Sequence, residues 1–253
     1  MPSRGTDVLF NWDKVVTYYD NYQNLELAEE HLFLLYINPR SSILDLGVGA
    51  GRTTPYLSNI ADTYVGLDNS EAMIRRCREK FPSLEFKVGN AADLSCFRSN
   101  MFNVVVFSFN GIDYLSSDKC RRDCLLEIRR VLAPGGLLIF SSHNSRHLVT
   151  MPKLVGQGPA RWAWRIFRAA SLATLNIPRQ LARRTFYRAQ GYIIDPVHGG
   201  VLTHVSTPDG VKEEVSTMGF EMIYRVSDTF PRKLPTIFAR WYYYVCRVRH
   251  DRT

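Results

Sequence analysis

Apolar and polar positions change period several times along the chain. Leu25, Leu27, Ala28, His31, Leu32, Leu34 and Leu35 recur at helical spacing until Asn38-Pro39 stops the run, which predicts a helical N-terminal segment over residues 1–40. Ser42–Leu46 then reads as a strand that runs into Gly47-Val48-Gly49-Ala50-Gly51 and a short helix. Thr63–Leu67 reads as a second strand ending at Asp68. Ser70 is placed to cap the helix that turns Met73, Ile74 and Cys77 inward. Leu84–Val88 gives a third strand. Phe102–Phe107, almost without polar side chains, gives a fourth that is expected to be buried on both faces. Asp118–Leu132 has the pattern of an amphipathic helix, ended by Ala133-Pro134-Gly135-Gly136, and Leu137–Ser141 follows as a fifth strand. Strands alternating with helices over residues 40–145 predict an α/β fold with a parallel, doubly wound sheet.

The alternation stops after His143. Residues 148–206 are predicted as a mostly helical cap inserted after the fifth strand, with two short helices split at Pro178 and an extended stretch from Tyr192 to Val205. Thr207-Pro208 then has the form of a helix cap and first turn, and Gly219 ends that helix. Phe220–Val226 and Ile237–Val248 read as two more strands, so the 253 residues are expected to form a single domain.

Charge adds one feature that the pattern lacks. The net charge is +8, yet residues 128–194 hold eleven Lys and Arg and no acid, so the rest of the chain sums to −3. The first residues, Met1 to Asp7, lead into no apolar core of a secretory signal, and no apolar run reaches membrane-spanning length. The five cysteines are odd in number and lie far from any histidine cluster, which disfavours a disulfide framework or a metal site. A cytoplasmic location is expected.

The glycine run joins a strand to a helix, where bare backbone can approach a ligand closely. Its spacing is G-x-G-x-G, with Arg52 where a dinucleotide fingerprint places its third glycine, and no Gly-Lys-Ser/Thr follows as in a P-loop. Asp45, two residues before the first glycine, can order the loop or accept a hydrogen bond from a cationic ligand; beside a pyrophosphate it would repel. Asp68, at the end of the second strand, can accept from both hydroxyls of a ribose. Asp93, closing the loop after the third strand, could accept from an adenine amine. All three fall at the carboxyl ends of neighbouring strands, where open α/β sheets bind ligands.

Ile43-Leu44-Asp45-Leu46-Gly47-Val48-Gly49-Ala50-Gly51-Arg52-Thr53-Thr54 resembles the first motif of the class I S-adenosylmethionine-dependent methyltransferases. Val65–Ser70 resembles the second, and Gly89–Leu94 and Val131–Leu138 resemble two later ones, in the same order. The resemblance implies a Rossmann-like sheet of seven strands with the last antiparallel, and S-adenosylmethionine as cofactor in place of NAD. It implies that Gly47, Gly49 and Gly51 pass under the methionine part and that Asp68, with Asn69 beside it, holds the ribose. It places Ala92 and Asp93 at the adenine, Ser108 and Phe109 by the transferred methyl, and Tyr19 in a segment closing over the cofactor.

Methyl transfer from a sulfonium is an in-line displacement whose leaving group is already activated, so much of the catalysis is positioning. A hydroxyl acceptor also profits from a general base. His143, just past the fifth strand, and His198, before Gly199-Gly200, are the first candidates, ahead of His147, His204, Asp113 and Tyr114. The fourth strand ends in Phe107-Ser108-Phe109-Asn110-Gly111, without the Pro-Pro signature of DNA amino methylation, and DNA is not expected as a partner. The expected reaction is methylation of a small-molecule hydroxyl or amine. Arg161, Arg165 and Arg168, spaced to share one helical face within the acid-free stretch 128–194, point to an acidic acceptor. Two other uses of that basic segment compete: RNA or other nucleic acid, and a peripheral contact with anionic membrane through Trp162 and Trp164.

Overall fold

A computed structural model describes residues 13–147, 189–194 and 201–249, with single helical positions at 163, 167, 171 and 174. Helices α1 (Asp13–Asn21) and α2 (Leu27–Tyr36) precede strand β1 (Ser41–Leu46). The alternating core follows as α3 (Thr54–Ile60), β2 (Ala61–Asp68), α4 (Glu71–Lys80), β3 (Glu85–Val88), β4 (Phe102–Phe107), α5 (Asp118–Val131) and β5 (Leu132–His143). A small antiparallel pair, β6 (Gln190–Ile194) and β7 (Leu202–Ser206), precedes α6 (Pro208–Thr217), β8 (Phe220–Ser227) and β9 (Trp241–Val248).

The main sheet has seven strands in the order β3-β2-β1-β4-β5-β9-β8. β1 to β5 are parallel, and β9, last in sequence, runs antiparallel to its neighbours β5 and β8. Strand order reverses between β1 and β4, so the carboxyl ends of β1, β2 and β4 open onto one crevice.

The alternation of side chains along each strand divides the core in two. Leu44, Leu46, Val105, Phe107, Leu138 and Phe140 face α5 and α6 through Leu125, Ile128, Val211 and Val215. Ile43, Val104, Val106, Ile139 and Val245 face α2, α3 and α4 through Leu32, Phe33, Leu57 and Ile74. Burying one such side chain contributes about 1.5–3 kcal/mol, so β1 and β4, covered on both faces, hold the sheet together. The caps read from sequence are present: Ser70 Oγ accepts from Met73 N at 3.2 Å, and Thr207 accepts from Gly210 N at 3.0 Å ahead of Pro208.

Three boundaries differ from the sequence reading. The 1–40 segment is two helices over its described part, and residues 1–12 lie outside the described residues. β5 starts at Leu132, not Leu137: Leu132 already pairs with Phe102, and the Pro134-Gly135-Gly136 stretch is an irregularity inside the strand, where Pro cannot donate and Gly135 has φ 73°. The last strand starts at Trp241, not Ile237, because Thr236–Phe238 forms a 3-10 turn. Arg240 is held there by Asp228, with Nε 2.7 Å from Oδ2. Of the predicted 148–206 cap, β6 and β7 are described and most of the helical part lies outside the described residues. Among the described residues no helix is long and apolar enough to cross a membrane.

The N-terminal helices are fixed by charge. Glu29 and Arg52, with side chains 1% and 9% exposed, make a two-pronged pair at 2.6 Å on each prong, and Glu29 also accepts from Glu26 N in a capping box. Asp20 takes Arg76 at 2.7 Å and Lys80 at 3.0 Å, which ties α1 to α4. Breaking a buried pair from one side leaves a charge without compensation, at a cost of about 3–5 kcal/mol. Glu29→Ala is therefore expected to lower unfolding free energy by that amount in urea titrations, whereas Glu79→Ala, in an exposed pair with Arg76, should change it by less than about 1 kcal/mol. Equal effects of the two substitutions would show that the Glu29–Arg52 pair does not anchor the segment.

Candidate active site

The crevice at the strand ends is lined by Tyr19, Gly47, Gly49, Asp68, Asn69, Ser108 and Phe109, all singled out from the sequence. The glycine loop turns through left-handed backbone, with φ 61° at Gly47 and 55° at Gly49. A Cβ on Gly47 would stand 2.7 Å from the Phe107 ring, while Gly49 faces open space, which leaves backbone exposed to a ligand. Asp68 accepts from Gly49 N and from Ser70 N, each at 2.9 Å, so one carboxylate joins the loop, β2 and the start of α4. Burial raises its pKa, against the pull of these backbone N–H groups. Each carboxylate oxygen keeps a further lone pair for a ligand hydroxyl.

Four of the expected cofactor residues stand outside the lining. Asp45 lies on the Ile43 face of β1, 1% exposed, beneath the loop. Its Oδ2 accepts from Thr53 Oγ1 at 2.5 Å and from Tyr64 OH at 2.9 Å, so of its two possible roles the structure displays loop ordering. Burial pushes its pKa up to about 6, although both hydroxyls pull it down. Gly51, φ 86°, packs against Phe81 and Cys77 behind the loop. Ala92 is half-buried, and Asp93 is exposed with its carboxylate accepting from Ser95 N at 3.1 Å. The adjacent Asn90 and Ala91 line the crevice instead.

Arg52, read from sequence only as a departure from the dinucleotide pattern, also lines the crevice. Its guanidinium sits 4.8 Å from the Phe109 ring centroid while bound to Glu29. Nothing local announced this partner, which is 23 residues away on α2.

A second cluster forms at the far end of the crevice. Asp113, fully buried in the 3-10 turn Gly111–Tyr114, accepts from Arg121 Nη1 and Ser142 Oγ, each at 2.8 Å, and from His143 N at 2.6 Å. His143 Nδ1 stands 2.8 Å from Asp113 Oδ2. Arg121 in turn bonds Glu214 at 2.7 Å. Burial pushes the Asp113 pKa up, but the imidazoles of His143 and His204 and the Arg121 charge outweigh it and hold the carboxyl far below the usual range. A carboxylate only accepts, so Nδ1 of His143 carries hydrogen and Nε2 presents a lone pair. His143 is partly exposed and packs edge-on against Tyr114, which lines the crevice, with ring centroids 6.1 Å apart. His204 is buried, 3.6 Å from Asp113, too far for a hydrogen bond. His198, Arg161, Arg165 and Arg168 lie outside the described residues.

Fold and crevice together define a Rossmann-like domain whose glycine loop borders an open crevice at the strand ends. Residues 43–136 match the family described as "Methyltransferase domain". The chain is 28% identical to trans-aconitate 2-methyltransferase of Variovorax paradoxus over 156 residues, 60% of this chain and 58% of that protein. It therefore spans little more than half the length of that curated relative. Two solved structures share the fold. The CcbJ methyltransferase of Streptomyces caelestis has a TM-score of 0.60 at 20% identity, covering 91% of this chain and 92% of that one. The 1,6-didemethyltoxoflavin-N1-methyltransferase of Burkholderia thailandensis, solved with its substrate and S-adenosylhomocysteine, has a TM-score of 0.60 at 14% identity, covering 96% and 88%. The core of the chain, residues 43–136, is thus similar to a methyltransferase domain, and these solved methyltransferases share its fold.

Asp45 yields a pH test of this arrangement. Its folded pKa of about 6 lies above its ordinary value of 3.8, so the folded state binds the extra proton. The resulting stability is present below about pH 4 and is lost as pH rises through 6. At about 1.4 kcal/mol per unit, this amounts to a few kcal/mol. Relative to Asp45→Asn, the native protein should lose stability between pH 4 and pH 6.5 in denaturant titrations. Parallel pH profiles for the two proteins would show that Asp45 titrates normally.

Proposed function

We propose that the protein transfers a methyl group from S-adenosylmethionine to a small-molecule hydroxyl or amine, with His143 as general base where the acceptor is a hydroxyl. The observation that carries this reading is the Asp113–His143 pair beside the lined crevice. Bound there, the cofactor would supply an activated methyl. Asp68 and Asn69 would hold its ribose, Gly47 and Gly49 would give it bare backbone, and Ser108 and Phe109 would flank its reacting end. Asp113 fixes the His143 ring, so that Nε2 takes the hydroxyl proton while the acceptor oxygen attacks. Buried Asp113 then stabilises the imidazolium that results. An acidic acceptor is the proposed class. Its supports are the acid-free stretch over 128–194, with Arg161, Arg165 and Arg168 as the proposed contacts, and the name of the Variovorax relative, which specifies a carboxylate substrate.

Losing a hydrogen-bonded buried carboxylate costs about 1.5–3 kcal/mol. Asp68→Ala is therefore expected to weaken S-adenosylmethionine binding by about tenfold or more in calorimetry, with NAD unbound by either protein. Unchanged affinity would overturn the assignment of the crevice. With a hydroxyl acceptor found by screening carboxylated compounds, His143→Ala should lower kcat by about 10²–10⁴-fold and leave cofactor affinity intact. Turnover close to that of the native protein would remove His143 from the chemistry.

A further inference from the structure

Phe109 and Asn110 are consecutive non-glycine residues in left-handed backbone, with φ 54° and 62°. Both stand where β4 delivers the chain to the reacting end of the crevice, and such conformations persist only where surroundings enforce them. The backbone of Asn110 is fully engaged. Its N–H donates to Ser141 Oγ at 2.8 Å, and its carbonyl accepts from Asp113 N at 3.0 Å. Its side chain is not used in this way. The residue is 4% exposed, Nδ2 lies 3.4 Å from His143 Nε2, and Oδ1 is buried with no hydrogen-bond partner among the described residues. A buried amide oxygen without a partner is a standing cost that a ligand donor would remove.

We propose that Asn110 is the positioning residue of the acceptor site, and that Asn110 Oδ1 and His143 Nε2 together receive two donor hydrogens of a flat aromatic acceptor. This rests on the reading of His143 given above. The resting Nδ2 contact is long, so an incoming hydroxyl displaces it from Nε2. A single hydroxyl has one hydrogen and satisfies only Nε2. A second donor on the adjacent ring carbon, hydroxyl or amine, satisfies Oδ1 as well. The walls suit a flat ring: Tyr114 and Trp241 stand edge-on to His143 at 6.1 and 6.3 Å between centroids, and Phe109 lies 6.1 Å from Trp241. The transfer itself adds no new chemistry. The hydroxyl proton goes to Nε2, the oxygen–methyl bond forms, and the sulfur–methyl bond breaks with its electrons returning to sulfur.

The test uses the full chain saturated with S-adenosylhomocysteine, and Asn110→Gly, which accepts left-handed backbone and deletes the amide. The melting temperature of the variant should equal or exceed that of the native protein, and its S-adenosylhomocysteine affinity should match. Long-range proton–nitrogen spectra should place the His143 hydrogen on Nδ1 in both proteins, because Asp113 sets that tautomer in each. Catechol should bind the native protein about tenfold or more tightly than phenol, and the variant should lose that preference. A lower melting temperature with the preference for catechol retained would make Asn110 structural and overturn the proposal. So would equal binding of catechol and phenol, or binding of neither, by the native protein. Failure of S-adenosylhomocysteine to bind would instead strike the methyltransferase reading, and would show as a separate result.

Discussion

One buried negative charge, that of Asp113, organises the half of the molecule around His143. A carboxylate removed from water costs several kcal/mol unless charge and hydrogen bonds replace its hydration. Here the replacement comes from Arg121 on α5 and from Ser142 and His143 on β5. His204 on β7 faces the same carboxylate, and Arg121 carries the connection on to Glu214 of α6. Elements far apart in sequence are thus drawn to one point. The bonds that make the charge tolerable are also the bonds that set the His143 ring, so stability and the orientation of that imidazole have a common cause.

The N-terminal side has a counterpart in Glu29 and Arg52. This pair holds α2 against the glycine loop and lays a guanidinium on Phe109. The two clusters meet at the end of β4, where Phe109 takes Arg52 and Asn110 reaches His143. The end of β4 is therefore gripped from both sides by buried ions, which leaves the side chains there little freedom to rearrange.

The cofactor half was legible in the sequence because its rules are local. A loop between strand and helix, a carboxylate at the next strand end and a serine cap at Ser70 are all set within a few residues of each other. Where locality fails, the reading loses precision. Asp45 could have served the loop or the ligand. Strand alternation puts it on the Ile43 face, under Thr53 and Tyr64, and only the neighbours of that face decide between the two. Asp93 sat at the right strand end, but its side chain turns back to Ser95 N, and Asn90 and Ala91 occupy the wall. Arg52 stood out as a departure from the glycine pattern, but nothing in the sequence singled out Glu29, and spacing alone could not join residues 23 apart.

The half around His143 follows a different logic. Asp113 and His143 are 30 residues apart, and Asn110 becomes informative only through its backbone conformation and a free amide oxygen. None of the three stands in the glycine-loop motif, and none would be noticed by composition. Because Asp113 must keep its donors to remain buried, His143 cannot shift without loosening α5 and β5 with it. The rings around it carry no such obligation: Tyr114 and Trp241 meet His143 through ring edges, not ions. The orientation of the imidazole is thus tied to the fold, while the shape and polarity of its surroundings can change by substitution at those rings. This asymmetry explains why the glycine-loop half is easier to read from sequence than the half around His143.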